Sequence, residues 1–456
     1  MCAQKIPEGG PEKLVGLDFE CDCGRRHTVQ VKHVSVGSGV IRNVPRVLGE
    51  IGLTGRFAVL YDRNIRPIAE RRLFPVLDRA GVRPDRVCFE KEGEVKASVE
   101  TSDELRSMLP KGVEFLVVMG SGTMNDLTKY AATALGVPYV VIGTAPSMNG
   151  YTSNISALSA HGFKTTQDIT PAAAVIADID IMKEAPIEMI RAGMGDLLSK
   201  NVCNADWRLS HRLKNTYFCE VPQQMIRRQE TYYLEHAREL GARDAEAIRQ
   251  LTEAIMNSGF SMAIVGESSP SSGSEHLLSH YWEMQCEMSG RPINLHGAQV
   301  GVGTLIAAEV YERVRRMTPG DIDLEKARRN YKTAEDCRAT VRKHYGALAD
   351  RTFQETTRKI VPWSVKEKEL TTLKSEWEDL WRDLARFLRP CAALERAMKE
   401  AGCPTRTGEL NISREDTYNA IRYARLQRNR YTVLDLADEC GWLEAWAEEL
   451  ADEFTG

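Results

Sequence analysis

The 456-residue sequence contains no apolar run approaching the roughly 18 to 20 residues needed to cross a bilayer, so a membrane-spanning chain is not expected. It also lacks a charge excess: 60 Lys plus Arg stand against 64 Asp plus Glu, a net charge of -4. That balance offers no electrostatic footprint for nucleic acid or an anionic membrane surface. Internal repeats and low-complexity tracts are missing, and with 43% hydrophobic and 27% charged residues the composition excludes extensive disorder and fibrous architectures. The start, MCAQKIPEGGPEKL, has no apolar core of the kind a signal peptide carries. The 11 cysteines are odd in number and scattered from Cys2 to Cys440, which suits reduced thiols better than a disulfide framework. These absences together lead us to expect a cytoplasmic protein whose partner is a small molecule, with no nucleic acid and no membrane.

What is present is a change of character along the chain. Over the first ~185 residues, short Val- and Ile-rich runs alternate with amphipathic stretches. TVQVKHVSVG, RFAVLYD, DRVCFE, FLVVMGSG, PYVVIGTA and AAAVIAD read as strands, and RPIAERRLFPVLDRAG and NDLTKYAATALG between them read as helices closed by glycine. Repeated strand-then-helix predicts an α/β Rossmann-like domain with a mostly parallel sheet over residues 1–185. After Pro186, strand alternation gives way to Glu-, Arg-, Leu- and Ala-rich helical spacing, and all seven tryptophans fall between Trp207 and Trp446. We expect residues 186–456 to form an all-helical domain in which those large side chains fill the gaps between packed helices.

Three constellations carry chemistry. Gly120-Ser121-Gly122-Thr123 lies between the strand FLVVM and a helix, where small residues and exposed N–H groups suit a pyrophosphate; a purely structural strand-to-helix turn fits the same residues. Asp62 ends the strand RFAVLY, where a carboxylate can accept from a ribose diol, or can simply cap the helix that follows. The adjacent Arg63 would suit a 2'-phosphate, so NAD and NADP both stay open. Asp196 in AGMGDLLSK, His276 and His280 in SEHLLSHYWE, and His296 in NLHGAQVGVGT form the third set. One carboxylate and two imidazoles can hold a divalent ion while leaving a position for substrate, although each histidine taken alone is equally a hydrogen-bonded structural residue. A fourth cluster, Cys21, Cys23 and His27 in FECDCGRRHTV, reads as strand and turn: zinc cysteines are usually separated by two or more residues, and no second ligand pair follows.

The motifs GSGTMNDLTKY, GTAPSMNGYTS, RAGMGDLLSK, SSGSEHLLSHYWE and LHGAQVGVGT occur in an order and spacing that resemble the sn-glycerol-1-phosphate dehydrogenases, within the superfamily of iron-containing alcohol dehydrogenases, glycerol dehydrogenases and dehydroquinate synthases. The bacterial branch is the most similar, through FECDCGRRHTV near the start and RNRYTVLDLADECGWLE near the end. The resemblance implies a dehydroquinate synthase-like fold, a divalent metal (zinc, nickel or iron) held by Asp196, His276 and His296, and NAD or NADP as cofactor. His280 would line the pocket one helical turn from His276. Gly120, Ser121, Gly122 and Thr123 would meet the pyrophosphate, followed by Asp126 and Lys129 on the next helix, with Thr144 and Ser147 near the nicotinamide. Lys164 in HGFKTT would approach a substrate phosphate. A homo-oligomer, dimer or larger, is implied as well. One position departs from the pattern: Asn149 stands where the family often has Asp, so an amide that cannot act as a base replaces a carboxylate.

The activity implied is reduction of the C2 carbonyl of dihydroxyacetone phosphate to sn-glycerol 1-phosphate. The metal would polarise the ketone, Asn149 would orient a substrate hydroxyl, and protonation would run through metal-bound water or a relay that includes His280. A polyol dehydrogenase on an unphosphorylated substrate, a dehydroquinate-synthase-like lyase and an inactive nucleotide-binding protein are the alternatives.

Overall fold

The computed structural model describes residues 6–456 except 92, 94, 161 and 162; of residues 157, 160, 163–168 and 228 only the backbone is described. Ten strands occur among the described residues: β1 Asp18–Glu20, β2 Arg26–Thr28, β3 His33–Gly37, β4 Phe57–Asp62, β5 Asp85–Phe89, β6 Phe115–Gly120, β7 Tyr139–Gly143, β8 Ile155–Ala160, β9 Phe163–Asp168 and β10 Ala174–Asp178. Six of them make one sheet in the order β3-β10-β7-β6-β4-β5, and every pairing in it is parallel.

The six apolar runs read from the sequence each supply one of these strands. Strands β6, β7 and β10 are buried at every position, which is why their runs are continuous instead of alternating: a parallel sheet covered by helices has no solvent face. Val59, Tyr61, Phe115, Val117, Met119, Val140, Ile142 and Ile176 pack with Val44, Val47, Leu73 and Phe74 into one core. The run TVQVKHVSVG is split. Its first residues end β2, which pairs antiparallel with β1, and the sheet strand begins only at His33. The hairpin β8-β9 was not expected, because ISALSA and FKTTQD carry too few large apolar residues to read as strands.

The chain divides into two compact units, residues 1–197 with 219–268, and residues 198–218 with 269–456. The first holds the sheet and, from its second segment, the packed helices Val221–Glu235 and Ala245–Val265. Every regular element of the second is a helix, and among the described residues no strand follows Asp178. No helix among the described residues is long and apolar enough to cross a membrane.

Candidate functional site

Strand order decides where a ligand meets the first unit. From β4 the chain moves outward to β5, then returns to the other side of β4 as β6 and continues through β7. The crevice outside the carboxyl ends of β4 and β6 is therefore the topological switch point, the usual ligand position in such sheets. Asp62 ends β4 and Gly120 ends β6, so the two nucleotide-binding candidates that lie 58 residues apart occupy neighbouring strand ends. Asp62 Oδ1 accepts from Ile65 N at 2.9 Å, so this carboxylate also caps the turn that follows.

The helix Gly122–Leu135 starts directly after β6, and Ser121 at its N-cap makes no side-chain cap bond, which leaves first-turn N–H groups available for an anion. Gly120 and Gly122 are also required by packing. A Cβ on Gly120 would come within 2.6 Å of Met124 Cβ, and one on Gly122 within 2.4 Å of Met148 Cγ. Asp126 and Lys129 face inward from this helix. The fully buried Lys129 ammonium donates to Gly150 O (2.8 Å), Ile155 O (2.9 Å) and Ser153 Oγ (3.2 Å), with Asp126 Oδ1 at 3.7 Å. Its donors therefore fasten the 150–155 segment to the helix. Burial lowers the Lys129 pKa, and the Asp126 charge opposes that shift.

The segment from Thr144 to Ser153 connects this turn to Asp196. Thr144 and Ser147 are buried, Thr144 N donates to Gly120 O at 3.1 Å, and the Tyr151 hydroxyl donates to Ala145 O at 2.8 Å. Asn149 meets Asp196 on both its oxygens: Asn149 Nδ2 lies 3.4 Å from Oδ1 and Asn149 N 3.3 Å from Oδ2, while Nδ2 also donates to Ser258 Oγ at 3.2 Å. Asp196 itself is buried, on the helix Ile187–Leu198.

Two glycines make this close packing possible. A Cβ on Gly193 would lie 1.7 Å from Pro146 O, and one on Gly259 would lie 2.1 Å from Thr152 Oγ1 and 2.7 Å from Asn149 O. Backbone cannot yield as a flexible side chain can. Gly193→Ala is expected to lower stability by about 2 to 3 kcal/mol, in the range of core overpacking, read as a fall in the thermal midpoint.

The second unit brings three imidazoles together. His276 and His280 sit one turn apart on the helix Ser274–Ser289, and His296 opens the helix His296–Arg316. Ring centroids are separated by 5.2 Å for His276 and His296, 5.6 Å for His280 and His296, and 6.0 Å for His276 and His280. Two carboxylates orient the rings: His276 Nδ1 lies 2.8 Å from Glu275 Oε1, and His296 Nδ1 lies 2.8 Å from Glu283 Oε1. With both Nδ1 atoms engaged by carboxylates, a metal would be ligated through Nε2, the arrangement typical of metal-binding histidines. Ligand atoms of His280, Glu283 and His296 also lie within 4.8 Å of one another. Burial pushes the Glu275 carboxyl up to about 7, against the backbone hydrogen bonds that lower it.

The start of the Ser274 helix is fixed by Asp206, buried completely. Its Oδ2 accepts from Ser274 N and Ser274 Oγ, both at 2.7 Å, and its Oδ1 from Tyr311 OH (2.8 Å) and Val433 N (2.7 Å). In Asp206→Asn the amide nitrogen must replace one of these oxygens. A hydroxyl can turn to accept from it, but a backbone N–H cannot, so one buried donor loses its acceptor. We expect a cost of about 1 to 3 kcal/mol in thermal unfolding, with the secondary structure otherwise retained.

Glu275, Glu283, Asp206 and Ser258 were not among the residues singled out from the sequence. Glu283 had a readable signal, since it lies three residues after His280 and seven after His276, on one helical face. The others had none. Lys164 pairs with Ser159 in the β8-β9 hairpin, and its side chain lies outside what is described.

The sequence model of the iron-containing alcohol dehydrogenase family matches residues 35–186. A glycerol-1-phosphate dehydrogenase [NAD(P)+] of Halalkalibacterium halodurans is 34% identical over 300 residues, covering 65% of this chain and 75% of that protein. One from Bacillus licheniformis is 26% identical over 425 residues, covering 93% of each. Among solved structures, glycerol dehydrogenase from Schizosaccharomyces pombe superposes with a TM-score of 0.59 at 17% identity, over 93% of this chain and 91% of that one, a likeness of fold. The switch-point turn, the oriented histidines and these identities place the chain in one group: it belongs to the glycerol-1-phosphate dehydrogenase [NAD(P)+] family of iron-containing alcohol dehydrogenases.

Proposed function

We propose that the chain is a metal-dependent, NAD(P)-linked dehydrogenase that reduces the C2 carbonyl of dihydroxyacetone phosphate to sn-glycerol 1-phosphate. The observation that carries this reading is family membership through relatives named for that activity. The residues fit the groups the reaction needs: Ser121 leaves helix N–H groups for a pyrophosphate, and the donor set of His276 and His296 is held by carboxylates through Nδ1. In this reading residues 1–185 bind the dinucleotide, residues 186–456 supply metal and substrate contacts, and Asp196, His276 and His296 are the metal ligands. Bound divalent ion and nicotinamide supply Lewis-acid polarisation of the ketone and a hydride, respectively.

The chain's own residues hold and orient. Glu275 and Glu283 fix the imidazole planes, and Asn149 keeps Asp196 in place through its amide. Gly120, Ser121, Gly122 and Thr123 cradle the pyrophosphate; Thr144 and Ser147 line the nicotinamide end; Asp62 takes the ribose. Lys129 positions the 150–155 segment. Lys164 contacts the substrate phosphate, and His280 delivers a proton to the nascent hydroxyl oxygen. The same reading has the chain acting in the cytoplasm as a homo-oligomer.

The test is oxidation of NADH and NADPH with dihydroxyacetone phosphate, followed by chiral analysis of the product. Turnover is expected to give sn-glycerol 1-phosphate and to fall by about two orders of magnitude or more on unphosphorylated dihydroxyacetone, because the phosphate supplies binding energy that orients the ketone. Equal kcat/KM on both substrates would transfer the chain to the polyol dehydrogenases. Product formation without net NADH consumption would mark a lyase.

A further inference from the structure

The cluster in FECDCGRRHTV, set aside in the sequence for want of further ligands, is completed by a residue far along the chain. Strands β1 and β2 bring Cys21, Cys23 and His27 to one end of their hairpin, and Cys219 joins them from 192 residues beyond His27. All four lie in the first unit; Cys219 is the residue at which its second segment begins. His27 and Cys219 are buried and Cys21 and Cys23 half-buried, and each of these cysteines is a reduced thiol.

The distances are those of a coordination shell. Cys21 Sγ and Cys219 Sγ are 3.8 Å apart, and His27 Nε2 lies 3.3 Å from Cys23 Sγ and 3.4 Å from Cys219 Sγ. All four ligand atoms fall within 4.8 Å of one another. A tetrahedron with Zn–S near 2.3 Å and Zn–N near 2.0 Å has S···S edges of about 3.8 Å and S···N edges of about 3.5 Å. The imidazole is also set in the ligating tautomer. His27 Nδ1 is 2.6 Å from Ile264 O, and because a carbonyl only accepts, Nδ1 carries the proton and Nε2 presents its lone pair to the sulfurs.

We propose that Cys21, Cys23, His27 and Cys219 form a second, structural metal site that takes one zinc ion as a closed Cys₃His tetrahedron. Binding one Zn²⁺ releases three thiol protons and leaves the shell with a net charge of -1. Arg25, which donates to Val265 O at 3.4 Å and acts electrostatically on His27, offsets that charge. With four protein ligands no position is left for substrate, so the ion ties the β1-β2 hairpin to the start of the 219–268 segment and takes no part in turnover. This inference does not depend on the proposed dehydrogenase activity.

The experiment uses the full chain purified under reductant, with metal content by mass spectrometry and cobalt(II) as the spectroscopic probe. Cobalt-loaded protein is expected to show thiolate-to-cobalt charge-transfer absorbance. Cys219→Ser should abolish that band and lose one metal equivalent, whereas His276→Ala and His296→Ala should keep both the band and that equivalent. A wild-type cobalt form without the band, or one whose band survives Cys219→Ser, would overturn the site. So would a Cys21–Cys219 disulfide found by peptide mapping in metal-free protein purified under reductant. Should Cys219→Ser fail to fold, alkylation of the wild type decides: chelation must expose Cys21, Cys23 and Cys219 together to the reagent, and unchanged labelling at these three rejects the proposal.

Discussion

His276→Ala and His296→Ala are each expected to lose the catalytic metal and about three orders of magnitude in kcat/KM, equivalent to some 4 kcal/mol of transition-state stabilisation. Both rings have Nδ1 committed to a carboxylate, so each offers one nitrogen, and neither can be replaced by a neighbour without breaking that bond. Glu283→Gln keeps the shape but exchanges the carboxylate at His296 Nδ1 for an amide; metal affinity should fall by about 10- to 100-fold, the scale of outer-shell losses. His280→Ala separates two ligand sets. As a pocket residue it should retain full metal and lose rate. If instead His280→Ala empties the site while His276→Ala does not, the ion is held by His280, Glu283 and His296, whose ligand atoms lie within 4.8 Å of one another. Metal content and initial rates on the same preparations distinguish these outcomes.

The fold was readable where physics leaves one solution. Strands such as FLVVM and YVVIG are buried on both faces, so their sequences are uninterrupted apolar runs closed by glycine, and their short length and Val content read as strand. The hairpin β8-β9 was not readable, since Ser156, Ser159, Thr165 and Thr166 dilute its apolar signal. The site divides in the same way. Residues on one helix or one turn, such as His276 with His280 or Gly120 with Gly122, announce themselves by spacing. Pairs made by the fold do not: Asn149 with Asp196 spans 47 residues, Asp206 with Val433 spans 227, and Cys219 with His27 spans 192. Lys129 shows a further limit. Its three donors go to two backbone carbonyls and the Ser153 hydroxyl of the 150–155 segment, partners that the fold sets and that the residue type at 129 does not announce.

Asn149→Asp is expected to tighten metal binding and to weaken the metal-free protein. In the native chain the amide Nδ2 faces Asp196 Oδ1 at 3.4 Å and Ser258 Oγ at 3.2 Å, so a neutral donor neighbours a buried carboxylate. An aspartate there sets two carboxylates against each other; at that separation two unit charges repel by about 5 kcal/mol for an effective dielectric near 20. A divalent cation relieves the repulsion directly, so the gain in thermal midpoint on adding metal should be larger in Asn149→Asp than in the native chain. Chelator competition should show about tenfold tighter binding or more. Asn149→Ala removes the side-chain donor without adding charge. It leaves Asp196 less well held, and kcat/KM with dihydroxyacetone phosphate should fall by one to two orders of magnitude, roughly the loss that follows a misplaced group at a reacting centre. Asn149→Asp is thus read in metal affinity and Asn149→Ala in kcat/KM. If both leave metal affinity and kinetics unchanged, Asp196 is not a ligand, and the contact with Asn149 serves only to pack the 144–153 segment against the helix Ile187–Leu198.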